Sequence, residues 1–144
     1  MSSELFERLA AQAFAADRVR MEMFGGRVWV RRPVGGARTG MLSWLVRGFL
    51  ARRTELALIT SGPGFKVGAR REGRARPDGV LAPAGYFDDA GVWADPEGVL
   101  AVAEVTSWDA DTHARDRVEK VAAYAETGID LYLLDTEPFK RFAR

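Results

Sequence analysis

One segment limits the fold more than any other. Val99 to Thr106 reads Val-Leu-Ala-Val-Ala-Glu-Val-Thr, an apolar run with a single acid in it. A strand of this kind belongs in the centre of a sheet, covered on both faces, so the chain must supply layers on either side. Glu104 is the anomaly. A carboxylate buried in such a strand is strongly disfavoured unless it is paired or binds a cation. An acid near the C-terminal end of a central strand also lies where open α/β sheets place ligand chemistry.

The rest of the pattern provides those layers. Leu5, Phe6, Leu9, Ala13 and Ala16 recur at helical spacing and predict a helix over 3–18, capped by Ser2 or Ser3. Met21–Phe24 and Val28–Val30 flank Gly25-Gly26 and predict a hairpin, because Gly-Gly supplies the positive φ angles of a two-residue turn. Thr39 can cap a second helix to about Arg53. Strands follow at 56–60, 65–67 and 78–82, separated by a Ser-Gly-Pro-Gly break and an Arg/Gly-rich loop over 70–76. Residues 83–97 read as a loop or lid. Thr112 can cap a helix from about His113 to Thr127, which Gly128 ends, and Ile129–Leu134 is a last strand. The expected class is α/β: one domain over residues 1–144, a central mixed sheet flanked by helices. If the strands either side of the 113–127 helix are parallel neighbours, their crossover is right-handed.

Composition narrows the chemistry. There is no cysteine among the 144 residues, which excludes disulfides, zinc-thiolate sites and Cys nucleophiles. The amphipathic acidic start is unlike a signal peptide and no apolar run has the length of a membrane span, so a cytoplasmic protein is expected. The net charge of +1 hides a division. Residues 18–76 carry 14 Arg/Lys against 3 acids, whereas residues 77–144 carry 6 against 14. A basic half suits a polyanion and an acidic half suits a metal.

Asp78 on its own reads as a turn or strand-start Asp, and its pairing with Glu104 makes it a candidate. It follows Pro77 and opens the apolar stretch Gly79-Val80-Leu81-Ala82. Two carboxylates on adjacent strands make a hard-oxygen site suited to Mg²⁺ or Mn²⁺, and such an ion can activate water and stabilise charge on a phosphodiester. On the 113–127 helix, Val118, Val121, Ala122 and Ala125 form the apolar stripe, and His113, Asp116, Arg117, Lys120 and Tyr124 the opposite side. Periodicity alone therefore reads Asp116 and Lys120 as a solvated i,i+4 pair. His113 has no Ser or Cys partner to suggest a triad. Gly62–Gly68 lacks the Gly-Lys-Ser/Thr of a phosphate loop. The four tryptophans read as core or rim residues, with Trp108 the one beside the proposed site.

Several stretches occur in a telling order: Arg76-Pro77-Asp78-Gly79-Val80, Val102-Ala103-Glu104-Val105-Thr106-Ser107, Asp116-Arg117-Val118-Glu119-Lys120, Tyr124 to Ile129, and Tyr132-Leu133-Leu134-Asp135. Together they resemble the Uma-two family, restriction-endonuclease-like proteins of the PD-(D/E)XK nuclease superfamily. The specific match covers about 74–136, and the N-terminal half matches more loosely. The resemblance implies a restriction-endonuclease-like core and a Mg²⁺-dependent (or Mn²⁺-dependent) site acting on DNA. By motif position it makes Asp78 and Glu104 the metal-binding acids, with Glu22 a further one. The lysine that the strict pattern puts two residues after the acid is here Thr106, and the resemblance moves that role to Lys120. A metal-dependent endonuclease is the first expectation. A nuclease-like domain that no longer catalyses and serves as a nucleic-acid- or protein-binding module is the second, motivated by the Gly25-Gly26-Arg27 turn and the short segment after Asp135. Hydrolysis of a small phosphorylated substrate is a third. That short segment also leads us to expect an exposed sheet edge, or a homodimer that covers it.

Overall fold

The computed structural model describes residues 1–31, 36–50, 52, 55–60, 62–106 and 114–136. Trp108, Thr112 and His113 lie outside them.

Helix α1 (Ser3–Asp17) starts as expected, with the Ser2 hydroxyl accepting from the Leu5 N–H. Strands β1 (Arg20–Phe24) and β2 (Arg27–Arg31) form the hairpin, paired from Arg20↔Arg31 to Phe24↔Arg27. Gly25 and Gly26 take φ of 54° and 76° at its turn. Helix α2 (Gly36–Leu50) begins a turn before Thr39, since Ala37 and Arg38 are good helix formers. Then come β3 (Leu56–Ile59), β4 (Gly64–Val67), β5 (Gly73–Ala75), β6 (Gly79–Pro83), β7 (Trp93–Ala94) and β8 (Ala101–Thr106). A π-helical turn over Arg115–Glu119 runs into helix α3 (Lys120–Thr127), which Gly128 ends at φ 91°, and β9 (Leu131–Thr136) follows. No helix among the described residues is long and apolar enough to cross a membrane.

The class is α/β, with two mixed sheets where one central sheet was expected. The first has the order β2-β1-β5-β4-β7 and the second β3-β6-β8-β9. Two of their strands fall in segments that read as loops. β5 lies inside the Arg/Gly-rich stretch, and β7 is two residues long inside 83–97. Neither carries an alternating pattern; backbone pairing makes them. Gly73 allows β5 to approach, because a Cβ there would sit 2.9 Å from the Val67 side chain and 3.1 Å from its carbonyl. Gly64 does the same for β7, where a Cβ would meet the Trp93 ring at 2.3 Å. The expected strand–helix–strand unit is present: β8 and β9 are parallel neighbours, paired from Ala101↔Leu131 to Thr106↔Thr136. β9 is the edge of its sheet among the described strands, with Leu131 and Leu133 exposed.

The sheets share one core. Phe24, Phe65, Val67 and Ala75 from the first meet Val80, Ala82 and Val102 from the second, together with Tyr124 of α3. On the far face of the first sheet, Phe6 and Ala10 of α1 pack on Met23 and Trp93. On the second, Leu42 of α2 packs on Val105. Strand alternation then decides where the acids go. Glu22 shares a face with Phe24, Asp78 with Val80, and Glu104 with Val102. All three are therefore aimed between the sheets, into the same apolar core.

Candidate functional site

The three acids meet the polar side of the third helix. Glu22, Glu104, Asp116 and Lys120 are at most 1% exposed, and Asp78 and Arg115 are buried beside them. This inverts the orientation that periodicity predicted. The stripe of Val118 and Val121 faces solvent, 60% and 41% exposed, and the charged side faces the sheets. The reason is electrostatic. Buried carboxylates on β1 and β8 need cations more than two valines need cover: an unpaired buried charge costs several kcal/mol, a valine roughly 1.5–3 kcal/mol. The π turn accommodates this by directing Arg115 and Asp116 inward one turn before Lys120, whose N–H bonds to the Arg115 carbonyl.

Lys120 is the hub. Its Nζ lies 2.9 Å from Glu104 Oε1, 3.0 Å from Glu22 Oε1 and 3.5 Å from Asp116 Oδ1. None of these approaches is aligned as a hydrogen bond, so the attraction is chiefly that of charge. Glu104 Oε1 also accepts the Tyr124 hydroxyl at 3.0 Å. Glu22 Oε1 accepts the Arg76 N–H at 2.6 Å. Glu22 Oε2 has no hydrogen-bond donor and is approached by Arg115 Nε only at 3.7 Å. Asp78 accepts the Val105 N–H on one oxygen and the Arg31 guanidinium on the other. Arg31 also donates to the Arg76 carbonyl. Arg115 Nε donates to Asp116 Oδ1 at 2.8 Å, and the Tyr132 hydroxyl donates to the Asp116 carbonyl at 2.7 Å.

Among the described residues the cluster brings together four acids (Glu22, Asp78, Glu104, Asp116) and three cations (Arg31, Arg115, Lys120). Burial pushes the Glu104 carboxyl up to about 8, with Asp78 and Glu22 adding to the rise and Lys120 and Arg31 opposing it. Burial works against the Lys120 ammonium, but Glu104 first, then Glu22 and Asp116, outweigh it and hold its pKa above the usual lysine value. Burial likewise opposes Arg31, and Glu22, Asp78 and Glu104 more than compensate. Desolvation, reinforced by Glu104, raises Tyr124 far above an ordinary phenol, so it remains a donor. Glu104 therefore holds a proton more readily than an ordinary carboxyl, and a bound cation would offset its charge as well.

The four residues singled out by sequence, Glu22, Asp78, Glu104 and Lys120, are thus gathered in one cluster. The three acids surround the chain's own cations, Lys120 among them: among the described residues no three acids stand at metal-ligand spacing around a common point. The three acids nevertheless suit a hard divalent ion, for Glu22, Asp78 and Glu104 are carboxylates and one buried oxygen, Glu22 Oε2, lacks a donor. Sequence reasoning missed Arg31, Arg115, Tyr124 and Tyr132, and read Asp116 as solvated. Arg31 carried a usable signal, since it lies one strand over on the same face as Glu22.

The family model Uma2, described as "Putative restriction endonuclease", matches residues 3–139. The chain belongs to the Uma2 family. The match spans both sheets and includes the N-terminal half, where the motifs were weakest, so Glu22 and Arg31 lie within it as well as Asp78, Glu104 and Lys120. Among the curated proteins, none matches the chain.

Proposed function

We propose that this Uma2 protein is a metal-dependent endonuclease that hydrolyses DNA phosphodiester bonds. The observation that carries this reading is the convergence of Glu22, Asp78, Glu104 and Lys120, from four separate elements, on inward register positions of one buried cluster. Asp78 and Glu104, assisted by Glu22, would hold Mg²⁺ or Mn²⁺. When bound there, the ion supplies Lewis acidity toward water and toward the phosphate charge. Lys120, already beside both glutamates, stabilises negative charge developing on the phosphate. Asp78, which Arg31 holds here, would take an ion in exchange for that guanidinium. Tyr124 keeps Glu104 Oε1 oriented by its hydrogen bond.

Relaxation of supercoiled plasmid with Mg²⁺ or Mn²⁺ tests the proposal. Wild type should nick or linearise the plasmid, and Asp78→Asn, Glu104→Gln and Lys120→Met should each lose at least about a hundredfold, the scale of removing one electrostatic stabiliser. Equal cleavage by all four proteins rules out these roles.

One observation favours the second reading, a nuclease-like binding module without catalysis: Arg31 and Lys120 already neutralise the acids that a metal would use. Titration calorimetry with Mn²⁺ separates the two. Salt-sensitive DNA binding with no metal uptake supports the module. A dimer built on the β9 edge is open to light scattering.

A further inference from the structure

Three arginines stand by the junction of α1 and β1, none of them in an ion pair among the described residues. The guanidinium carbons of Arg18 and Arg20 lie 5.2 and 5.9 Å from the centre of the same Phe14 ring. That of Arg76 lies 4.4 Å from the Trp93 ring, and its Nε is buried without a partner. Elsewhere the inward arginines are used: Arg31 reaches Asp78, Arg74 reaches Glu7 and Arg115 reaches Asp116. None of Arg18, Arg20 and Arg76 has a carboxylate within ion-pair distance among the described residues.

Local structure gives them no reason to be basic. Arg20 stands directly opposite Arg31 in the hairpin, a like-charge pair that weakens a sheet. Arg18 caps α1 in the left-handed region at φ 57°, where glycine would sit without penalty. Burial first, then Arg20, makes the charged Arg76 guanidinium less favourable, and Glu22 offsets this only in part. The rim is nevertheless wired to the acid cluster. The Arg76 N–H donates to Glu22 and its carbonyl accepts from Arg31, and Arg20 lies two residues from Glu22 on the same face of β1. Uncompensated arginines on aromatic faces suit an anion with a planar or tetrahedral oxygen array.

We propose that Arg18, Arg20 and Arg76 form a phosphodiester-binding rim that holds the backbone of duplex DNA beside the acid cluster. The inference rests on the nuclease reading and adds to it the residues that bind the strand. A bound phosphate would offset the repulsion among the arginines, so the rim is less stable empty than filled.

The test is anisotropy of a fluorescein-labelled 20-base-pair duplex in EDTA, where nothing is cut, across a series of NaCl concentrations. The Arg18→Gly/Arg20→Gln variant should melt no lower than wild type. It should bind the duplex roughly tenfold more weakly at 0.1 M salt, with a log–log salt slope shallower by about 2, one unit per lost phosphate contact. Arg76→Gln should shift the slope by about 1 in the same direction. Arg20→Lys, which keeps the charge, should retain most of the affinity. Wild-type binding that the variants match in affinity and slope removes the rim and leaves the nuclease reading standing. A wild type that does not bind the duplex removes both. Weaker binding with a clearly lower melting point and no rescue by lysine assigns the arginines to folding and overturns the proposal.

Discussion

The Lys120 ammonium lies 2.9 Å from a Glu104 carboxylate oxygen, both groups out of contact with water. The pair joins α3 to the centre of β8, and Glu22, 3.0 Å from the same nitrogen, ties in β1. One side chain therefore links the helix to both sheets. A buried ammonium held by several carboxylates contributes little net stability when intact, yet removing it leaves the acids around it dry and short of a cation.

Lys120→Met should consequently destabilise the protein by about 3–5 kcal/mol, measured by urea unfolding at pH 7. In a Glu104→Gln background the same substitution should cost less by at least about 1 kcal/mol, because the two groups are in contact. Purely additive effects would show that the lysine is held by something other than these acids.

Glu104 makes stability depend on pH in a defined direction. Its ordinary value is 4.5 and its folded value about 8, so the native state binds the proton more tightly than the unfolded one. The stability this confers is fully present below pH 4.5, is lost progressively up to about pH 8, and then levels off. Glu104→Gln carries no such proton. The stability difference between wild type and Glu104→Gln in EDTA should therefore turn against wild type by up to about 5 kcal/mol across this window. A difference that stays flat from pH 4.5 to 8 removes the perturbed carboxyl.

Tyr124→Phe isolates one contributor to that carboxyl. The hydroxyl donates to Glu104 Oε1, and a donor favours the ionised form. Its loss should raise the upper end of the Glu104 window by up to about one pH unit, the equivalent of one buried hydrogen bond. The same pH series on Tyr124→Phe reads this directly, and a downward shift would contradict the assigned bond.

How far the site was legible depends on which physical effect governed each residue. Glu104 and Asp78 could be found because an acid in or beside an apolar strand violates the pattern around it. The hairpin and α1 were legible because Gly25-Gly26 and the Ser2 cap are local devices. The orientation of α3 was not, since helical periodicity ranks faces by hydropathy. Here Val118 faces solvent because Lys120 answers Glu22, far back in the chain on β1, and Glu104 on β8. β5 and β7 were missed because their pairing rests on what Gly73 and Gly64 lack, a Cβ, rather than on any apolar pattern. Arg31 is legible only once its register with Arg20 places it on the Glu22 face.

The raised Glu104 carboxyl leads to a last expectation. With its value pushed up to about 8, the Glu104 carboxyl titrates close to neutral pH, and a divalent ion binding to ionised carboxylates displaces its proton. Mn²⁺ binding, followed by calorimetry in buffers of different ionisation enthalpy, should release about one proton at pH 7 and about none at pH 9, where the carboxyl is already ionised. Affinity should rise by up to about tenfold between pH 7 and 8, then flatten, since binding is linked to one ionisation. Glu104→Gln should bind more weakly and release no proton at either pH, whereas Arg31→Gln, by freeing Asp78 from its guanidinium partner, should bind Mn²⁺ more tightly than wild type. Binding with no proton release at pH 7, and no gain in Arg31→Gln, would place the ion elsewhere than on Glu104 and Asp78.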